Sequence, residues 1–379
     1  MKKICFASAW LLGLAVVASC SSDKELTEAI TVEEAGRTIT NSDVEIRLSS
    51  GANGTRASVE SDENGLFELD SLGVYCLAKG NLSINPQELP VIWNPSISEG
   101  RYSVWMNNVL TNAVKSDDGS ATNLKWDDDQ SRWYPTCNWH AYTFYAYYPY
   151  DASAKFEDDQ VVATYVIDGT QDIICGKTNN SDVNAFSAYY FRQLEHASET
   201  PSLGLSHKLM RLNFRCIAAP DAYGSTEAAK KMCVTSIKIL NVPTHGKLVI
   251  ADKNNSANEG VITFDPYPVA DLDVRDLNDA PMTTEYWVQD THVAIGQGIM
   301  LPVPTSADQR YYIQVTMKDN EGNVFAPEYP MELRNGETPF EAGKAYTINL
   351  IIHGPKLIDL NAKLDKWVED DTTVGDVNL

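Results

Sequence analysis

The 379-residue sequence is poor in basic residues, which excludes one large class of partners. It contains 30 Lys and Arg against 52 Asp and Glu, a formal net charge of −22. Proteins that bind nucleic acid neutralise its phosphates with clustered Lys and Arg, and this chain has no such cluster. The excess acid is spread along the chain and predicts a solvated, self-repelling surface. Nucleic acid is therefore not an expected partner.

Signatures of catalytic and cofactor sites are also lacking. The chain has no Gly-x-Ser-x-Gly, no phosphate-binding loop and no dinucleotide-binding glycine pattern, and its six histidines never form a close pair. Residues 127–129 and 319–323 lack the spacing of an EF-hand, which favours solvated turns over calcium sites. We expect no metal, no cofactor and no enzymatic activity. Only the separated carboxylate pair of a glycosidase would leave no local trace.

Cysteine is scarce once the N-terminal twenty residues are set aside. Five remain, and they are Cys76, Cys137, Cys175, Cys216 and Cys233. Their number is odd, their spacings match no zinc pattern, and three of them lie in apolar, strand-like runs. Buried free thiols are predicted, with one or two disulfides as the alternative for an exported protein. His207, in another apolar run, is expected to be half-buried and hydrogen-bonded to a neighbouring strand.

Long apolar runs are absent beyond residue 20, but a short one opens the chain. Lys2 and Lys3 precede the apolar residues 9–17, and small residues lead to Cys20. This pattern predicts a cleaved export signal over residues 1–19, because the apolar run is shorter than the ~20 residues of a spanning helix. It resembles the lipobox of bacterial lipoproteins, which implies a lipid on Cys20 and attachment to the outer membrane. A plain signal with a chance cysteine is the alternative.

Helical periodicity is rare, and strand patterns dominate from Val44 onward. Residues 225–231 could form about two helical turns, and residues 183–194 are ambiguous. The polar loop 318–323 predicts a hairpin. Many short strands without intervening helices predict an all-β fold of two antiparallel sandwiches. The further β-rich runs are 142–148, 160–167, 203–217, 234–242, 247–251, 293–303, 311–317, 324–333, 345–352 and 357–368.

The polar stretch 195–202 interrupts the strands and predicts a domain boundary. The chain then divides into a tether with a first strand (20–56), an N-terminal sandwich (57–200) and a C-terminal sandwich (201–379). Residues 21–40 are polar, acidic and without aromatics, so they are expected to be flexible.

The first strand carries the most informative pattern for function. Val44, Ile46 and Leu48 alternate with charged residues, and a small, polar loop with a single arginine, Arg56, follows. Such a loop is easily cut by a protease. A cut between Arg56 and Ala57 would release the strand and leave an apolar groove with unpaired backbone. An ordinary strand and loop is the alternative.

The last strand is the most regular amphipathic one in the chain. Ile358, Leu360, Ala362 and Leu364 form an apolar face, and polar residues alternate with them. It is interpreted either as a strand donated to a neighbouring subunit or as the strand that closes its own domain.

Five tryptophans within 47 residues suggest a further possibility. They could stack on sugars, although core and rim positions are more common for such residues. The alternative function is therefore an anchored surface lipoprotein that binds a glycan or another ligand without polymerising. The residues are Trp93, Trp105, Trp126, Trp133 and Trp139.

Several segments of the chain, taken together in their sequence order, resemble those of the fimbrillin family. The members of this family are pilus subunits of Gram-negative gut and oral anaerobes and are exported as lipoprotein precursors. The matching segments are the lipobox at Cys20, Thr55-Arg56-Ala57, the aromatic run 142–149, and residues 172–177, 203–214 and 340–347, ending near Trp367.

The resemblance implies two β-sandwich domains of transthyretin-like topology and export to the surface as a lipoprotein. It also implies trimming at an arginine, which Arg56 would match, assembly with other fimbrial subunits by strand exchange, and adhesion to a host or bacterial surface ligand. Stalk, tip and anchor positions all stay open.

Overall fold

The computed structural model shows an all-β chain, which confirms the predicted fold class. In the described residues the helices are two short ones, α1 (Ala188–Phe191) and α2 (Ser225–Ala229), and one 3₁₀ turn at Ser256–Asn258. The structure describes residues 32–34, 37–39, 43–50, 68–80, 104–117, 119, 121–134, 140–179, 186–220, 225–276, 280–304, 309–327, 330–334, 338–355 and 357–365.

The strands of the first half precede α2. They are β1 (Val32–Glu34), β2 (Arg37–Ile39), β3 (Ser49–Ser50), β4 (Leu69–Gly80), β5 (Val104–Lys115), β6 (Thr122–Trp126), β7 (His140–Tyr148), β8 (Lys155–Glu157), β9 (Gln160–Val166), β10 (Ile174–Lys177), β11 (Ser206–His207) and β12 (Met210–Ala218).

The strands of the second half follow α2. They are β13 (Met232–Pro243), β14 (His245–Asp252), β15 (Val261–Phe264), β16 (Val269–Asp273), β17 (Tyr286–Trp287), β18 (Val293–Leu301), β19 (Tyr312–Asp319), β20 (Val324–Phe325), β21 (Met331–Glu332), β22 (Ala345–Gly354) and β23 (Leu357–Asp365).

Two sheets enclose the first core. A seven-stranded sheet has the order β11-β10-β7-β4-β5-β6-β3, and a four-stranded sheet has the order β15-β14-β9-β8. Strand β7, in the interior of the seven-stranded sheet, is buried on both faces, which explains its aromatic sequence. Phe144 packs edge-on against Tyr134, with ring centroids 5.9 Å apart, while the hydroxyl of Tyr145 donates to Glu259 beyond β14 at 2.8 Å.

Two more sheets enclose the second core. One has the order β18-β12-β22-β23 and the other β16-β13-β19-β20, with β17 beside β13 and β21 beside β19. Buried side chains from both sheets form one cluster, including Leu212, Ile237, Ile313 and Leu350. Antiparallel pairing was expected throughout, but β12 and β22 pair in parallel over eight residues. The two strands are far apart in the chain, so a parallel crossover can form.

The hairpin formed by β14 and β15 follows the predicted boundary between residues 200 and 201 in the sequence, but it packs with the sheets of the first sandwich. Strand β14 pairs with β9, and its Leu248 and Ile250 are buried in the first core. The division into residues 57–200 and 201–379 stays a prediction, but any division must group this hairpin with the first sheets.

Two local features bear on the sequence expectations. Within the stretch predicted as flexible, β1 and β2 pair as an antiparallel hairpin, since Val32, Thr38 and Ile39 favour strand, and the flexibility stays a prediction. Helix α2 has five residues, and the N–H groups of Lys230 and Lys231 continue its hydrogen bonding to Thr226 and Ala228, which gives the predicted two turns or so over residues 225–231. Near α1, the side chain of Ser187 caps the helix by accepting from the Tyr190 N–H at 3.1 Å.

Candidate assembly site

Residues 43–50, here called the docked segment, lie along one edge of the first sheet. Strand β3 at its end pairs with β6. Three further backbone hydrogen bonds fix the segment on this side. The N–H of Ile46 donates to the carbonyl of Arg132 at 2.7 Å, Tyr134 donates to Val44 at 2.9 Å, and Leu124 donates to Leu48 at 2.9 Å.

The opposite edge of the docked segment is paired as well. The N–H of Ser49 donates to the Pro201 carbonyl at 2.9 Å, and Leu203 donates back to Ser49 at 2.8 Å. Leu203 in turn bridges to Thr178, immediately after β10. The docked segment therefore joins β6 to residues 201–203 and, through them, to β10, so that it closes the seven-stranded sheet.

The side chains of the docked segment alternate between core and solvent. Ile46 and Leu48 are each 2% exposed and belong to the first core, and Val44 packs against it. Glu45 and Arg47 face outward, where Arg47 Nε donates to Glu45 at 3.0 Å. A hydrogen bond from Ser131 and the bond from Arg47 lower the pKa of Glu45. The alternation of apolar and charged residues in the sequence thus matches the alternation of buried and exposed side chains in the structure.

This arrangement determines what loss of the segment would expose. Backbone groups at residues 122–124, Arg132 and Tyr134 would lose their partners on one side, as would those of Pro201 and Leu203 on the other. The sites of Ile46 and Leu48 would open into the core. Unpaired backbone on two edges with apolar sites at alternate positions fits another β-strand best, because a strand restores both kinds of contact.

Cys20, Arg56 and Ala57 lie outside the described residues, so lipid attachment and trimming stay predictions. The docked segment ends six residues before Arg56. A cut there would separate the whole segment from the rest of the chain.

The C-terminal strand β23 pairs with β22 of its own chain, in antiparallel register from Leu357 to Asp365. Ile358 is buried, Leu360 and Ala362 pack against the second core, and Leu364 is 58% exposed. The structure describes this strand paired within its own chain, and its donation to a neighbouring subunit stays a prediction. It lies at the edge of its sheet.

The tryptophans do not share one surface where the structure describes them. Trp126 is buried beneath the guanidinium of Arg132, which lies 4.7 Å from the ring centroid, whereas Trp133 is 50% exposed. Trp105 belongs to β5 by its backbone, and Trp93 and Trp139 lie outside the described residues.

The other candidate residues have structural partners. Asp128 and Asp129 pair with Arg132 and Lys125, and Asp319 accepts from the N–H groups of Glu321 and Asn323 in the predicted hairpin turn. In the described part of the chain no group of His, Cys, Asp and Glu side chains could hold a metal ion.

His207 and the cysteines also lie in the interior. His207 is fully rather than half-buried, and its partner is the carboxylate of Asp172, which precedes β10. Four of the five cysteines are buried free thiols, as predicted, and Cys137 lies outside the described residues. Burial raises the pKa of Cys175 to about 11, so this thiol is inert at neutral pH.

Sequence reasoning missed the 201–203 edge of the site. The polar run 195–202 predicts a boundary between domains and not a pairing edge. A proline lacks the N–H donor, but its carbonyl still accepts from Ser49, so it is compatible with one side of a strand pair. Nothing in the local pattern distinguishes this edge from a loop.

Among the described residues, no helix is long and apolar enough to span a membrane. Comparison with curated proteins gives no match. A candidate cell adhesion protein from Bacteroides uniformis is similar in structure at 16% identity, covering 86% of this chain and 98% of that one, with a TM-score of 0.48.

Two solved fimbrial proteins from Porphyromonas gingivalis are also similar. The tip protein Mfa3 shares 9% identity, covering 85% of this chain and 100% of that one, with a TM-score of 0.34. The anchor protein Mfa2 shares 10% identity, covering 85% and 99%, with a TM-score of 0.33. The model of the fimbrillin-like family matches residues 55–367, most of the sequence. The chain therefore belongs to the fimbrillin-like family.

Proposed function

We propose that this chain is a structural subunit of a cell-surface fimbria that contributes to adhesion. It is exported as a lipoprotein with the lipid on Cys20, is trimmed after Arg56 and assembles with other fimbrial subunits by strand exchange. Membership of the fimbrillin-like family supports the fimbrial role. The lipid holds the chain at the outer membrane until trimming.

One observation carries the assembly step. The docked segment is bonded to the body along both edges and contributes Ile46 and Leu48 to the core, yet a single cut after Arg56 would detach it covalently. A strand from another subunit can then replace it at small net cost, since the incoming strand restores the same backbone bonds and core contacts.

The first experiment is an intact-mass measurement on surface material. Three arginines precede residue 60, namely Arg37, Arg47 and Arg56, so trimming would give an N-terminus at Thr38, Leu48 or Ala57. We expect polymer whose subunits begin at Ala57. Polymer that retains lipidated Cys20, or begins at Thr38 with the docked segment in place, would contradict the proposal.

Substitution separates trimming from folding. Arg56→Ala should leave folding and lipidation unchanged and abolish polymer, while Arg37→Ala should assemble normally. Normal polymer from Arg56→Ala would remove this residue from the mechanism.

A disulfide lock tests strand exchange itself. Ser49 and Asn123 are opposite each other in the β3–β6 pair, and opposed antiparallel residues have Cα atoms about 4.5–5.5 Å apart, within disulfide range. A Ser49→Cys/Asn123→Cys chain should be trimmed yet remain monomeric until a reductant is added. Polymerisation of the oxidised, trimmed chain would show that the docked segment need not leave.

The alternative, an anchored ligand-binding lipoprotein, predicts different surface material. All of it would keep the lipid on Cys20 and stay monomeric. Exposed Trp133 is the residue to replace in a glycan-binding assay for that case.

A further inference from the structure

The outer edge of β23 is a second surface on which a strand could pair. Within the described residues, β23 is hydrogen-bonded to β22 on one side and to no strand on the other. Natural proteins protect such edges with proline, bulges, inward-pointing charges or charged side chains, especially lysine. From Leu357 to Asp365 the strand has no proline and its one register irregularity lies at its start, so its protection rests on exposed charges such as Lys363. An oppositely charged partner strand removes that protection.

The sequence of this edge is complementary to itself. If two copies pair in antiparallel orientation about a two-fold axis through Asn361, Asp359 of each copy lies opposite Lys363 of the other. Both side chains are exposed on the solvent face of the sheet, and Asp359 also lies 2.9 Å from His353 Nε2 of its own β22, with its side chain still 62% exposed. Opposed unlike charges in a β-pair stabilise it, and like charges destabilise it. The dimer would contain this pair twice.

The apolar face fits the same register. Ile358 lies opposite Leu364 of the second copy, and Leu360 lies opposite Ala362. Leu364 is 58% exposed at the end of the strand, whereas Ile358 is 7% exposed. Pairing therefore places the exposed leucine beside a buried isoleucine and extends the apolar face across both copies. A register shifted by one residue would lose both the charge pairs and this match.

We propose that the outer edge of β23 binds the same edge of a second copy of this chain, with Asn361 on the two-fold axis. The two four-stranded sheets then form one continuous eight-stranded sheet. A nine-residue strand pair is a small interface, so the contact is weak and reversible on its own. It requires neither trimming at Arg56 nor release of the docked segment, and it goes beyond the proposed function.

A charge-exchange experiment tests this pairing. The chain is produced with Cys20→Ala, so that no lipid attaches, and dimerisation is measured by sedimentation equilibrium. Asp359→Lys places Lys opposite Lys, and Lys363→Asp places Asp opposite Asp. Each should weaken dimerisation by about tenfold or more. An equimolar mixture of the two variants restores both unlike pairs and should form a heterodimer.

The same pairing fixes a cross-link. Asn361→Cys should give a disulfide-linked dimer on mild oxidation, because residues on the axis have Cα atoms about 4.5–5.5 Å apart. Leu357→Cys is the matched control, since its two copies would lie about 26 Å apart at 3.3 Å per residue. Far-ultraviolet circular dichroism and thermal unfolding confirm that each variant folds.

The outcomes are distinct. Monomers at every concentration, dimerisation insensitive to both charge reversals, or equal cross-linking at positions 357 and 361 would each overturn the proposal. Because the docked segment stays in place, a monomer here leaves the strand-exchange proposal unaffected. Failure of Arg56 trimming likewise leaves the β23 contact unaffected.

Discussion

At the scale of single residues, two facing glycines show how closely the chain crosses itself beside the assembly site. A Cβ atom on Gly176 would lie 2.1 Å from the carbonyl oxygen of Gly204, whereas one on Gly204 would be 3.7 Å from its nearest neighbour. Gly176→Ala should therefore destabilise the fold by about 1–3 kcal/mol, since backbone must move. Gly204→Ala should change stability little. Urea denaturation of both variants measures the difference, and equal effects would contradict the close approach.

Asp276 is a second residue with a specific, pH-dependent role. Burial opposes its ionisation, but hydrogen bonds from the Thr283 N–H at 2.7 Å, the Tyr286 hydroxyl at 2.9 Å and the Thr284 N–H at 3.1 Å outweigh burial. Together they lower the pKa of Asp276 to about 2. A depressed carboxyl pKa stabilises the folded state above its ordinary value near 4, and this stabilisation is lost as the pH falls through 2.

Asp276→Asn should therefore lower the free energy of unfolding by about 1–3 kcal/mol at neutral pH. The donors around residue 276 lose a carboxylate acceptor, and the new amide N–H groups face these donors. The cost should shrink as the pH approaches 2, where the wild-type carboxyl is protonated. Denaturation midpoints across this pH range measure it. Asp273→Asn is the control, since Asp273 is exposed and pairs only loosely with Lys238 at 3.6 Å. A loss of stability in Asp276→Asn that does not change with pH would contradict the low pKa of Asp276.

At the scale of elements, the docked segment should contribute to stability only through its inward face. Leu48→Ala should lower the free energy of unfolding of the untrimmed chain by about 2–5 kcal/mol, because it opens a cavity in the first core. Arg47→Ala, next to it on the exposed face, should stay within about 0.5 kcal/mol. Chemical denaturation of the two variants provides the measurement. Similar costs would mean that the segment is not docked as described.

Two elements with regular alternation could be predicted from the sequence, whereas two neighbouring strands with several bulges could not. The segment from Val44 to Leu48 and strand β23 showed their buried faces directly. Strands β4 and β5 did not, because their pairing shifts register three times. Each bulge displaces the alternation by one residue.

Polar residues stabilise these irregularities. Asn108 has a positive φ of 52° and its side chain donates to the Asp151 carbonyl at 2.8 Å, while Ser71, with a φ of 64°, donates its N–H to Asn112 at 3.0 Å. In the sequence these residues interrupt the apolar pattern. The residues that contact Asn108 and Ser71 are distant from them in the sequence. Residues 201–203 are likewise distant in the sequence from the docked segment with which they pair.

At the scale of the whole molecule, the first core is not built from the first half of the chain alone. Strand β14 covers one edge of β9 and buries Leu248 and Ile250 among residues of the seven-stranded sheet. Glu259, just beyond β14, is paired with Lys177 at the end of β10 and accepts from Tyr145. The hairpin from His245 to Phe264 is therefore part of the structural unit that holds the docked segment.

A fragment of residues 43–209 should consequently fail to fold cooperatively. Burial of Leu248 and Ile250 alone contributes about 3–6 kcal/mol, which is comparable with the 5–15 kcal/mol that stabilises a typical domain. The fragment also loses the strand that pairs with β9. Joining residues 245–264 to it through a Gly/Ser linker should restore a single thermal transition and a dispersed proton NMR spectrum. A cooperative transition from the shorter fragment would show that the hairpin is dispensable. Strand exchange could then be studied in the first sandwich alone, whereas failure of that fragment means that the second half of the chain must be present for the groove to exist.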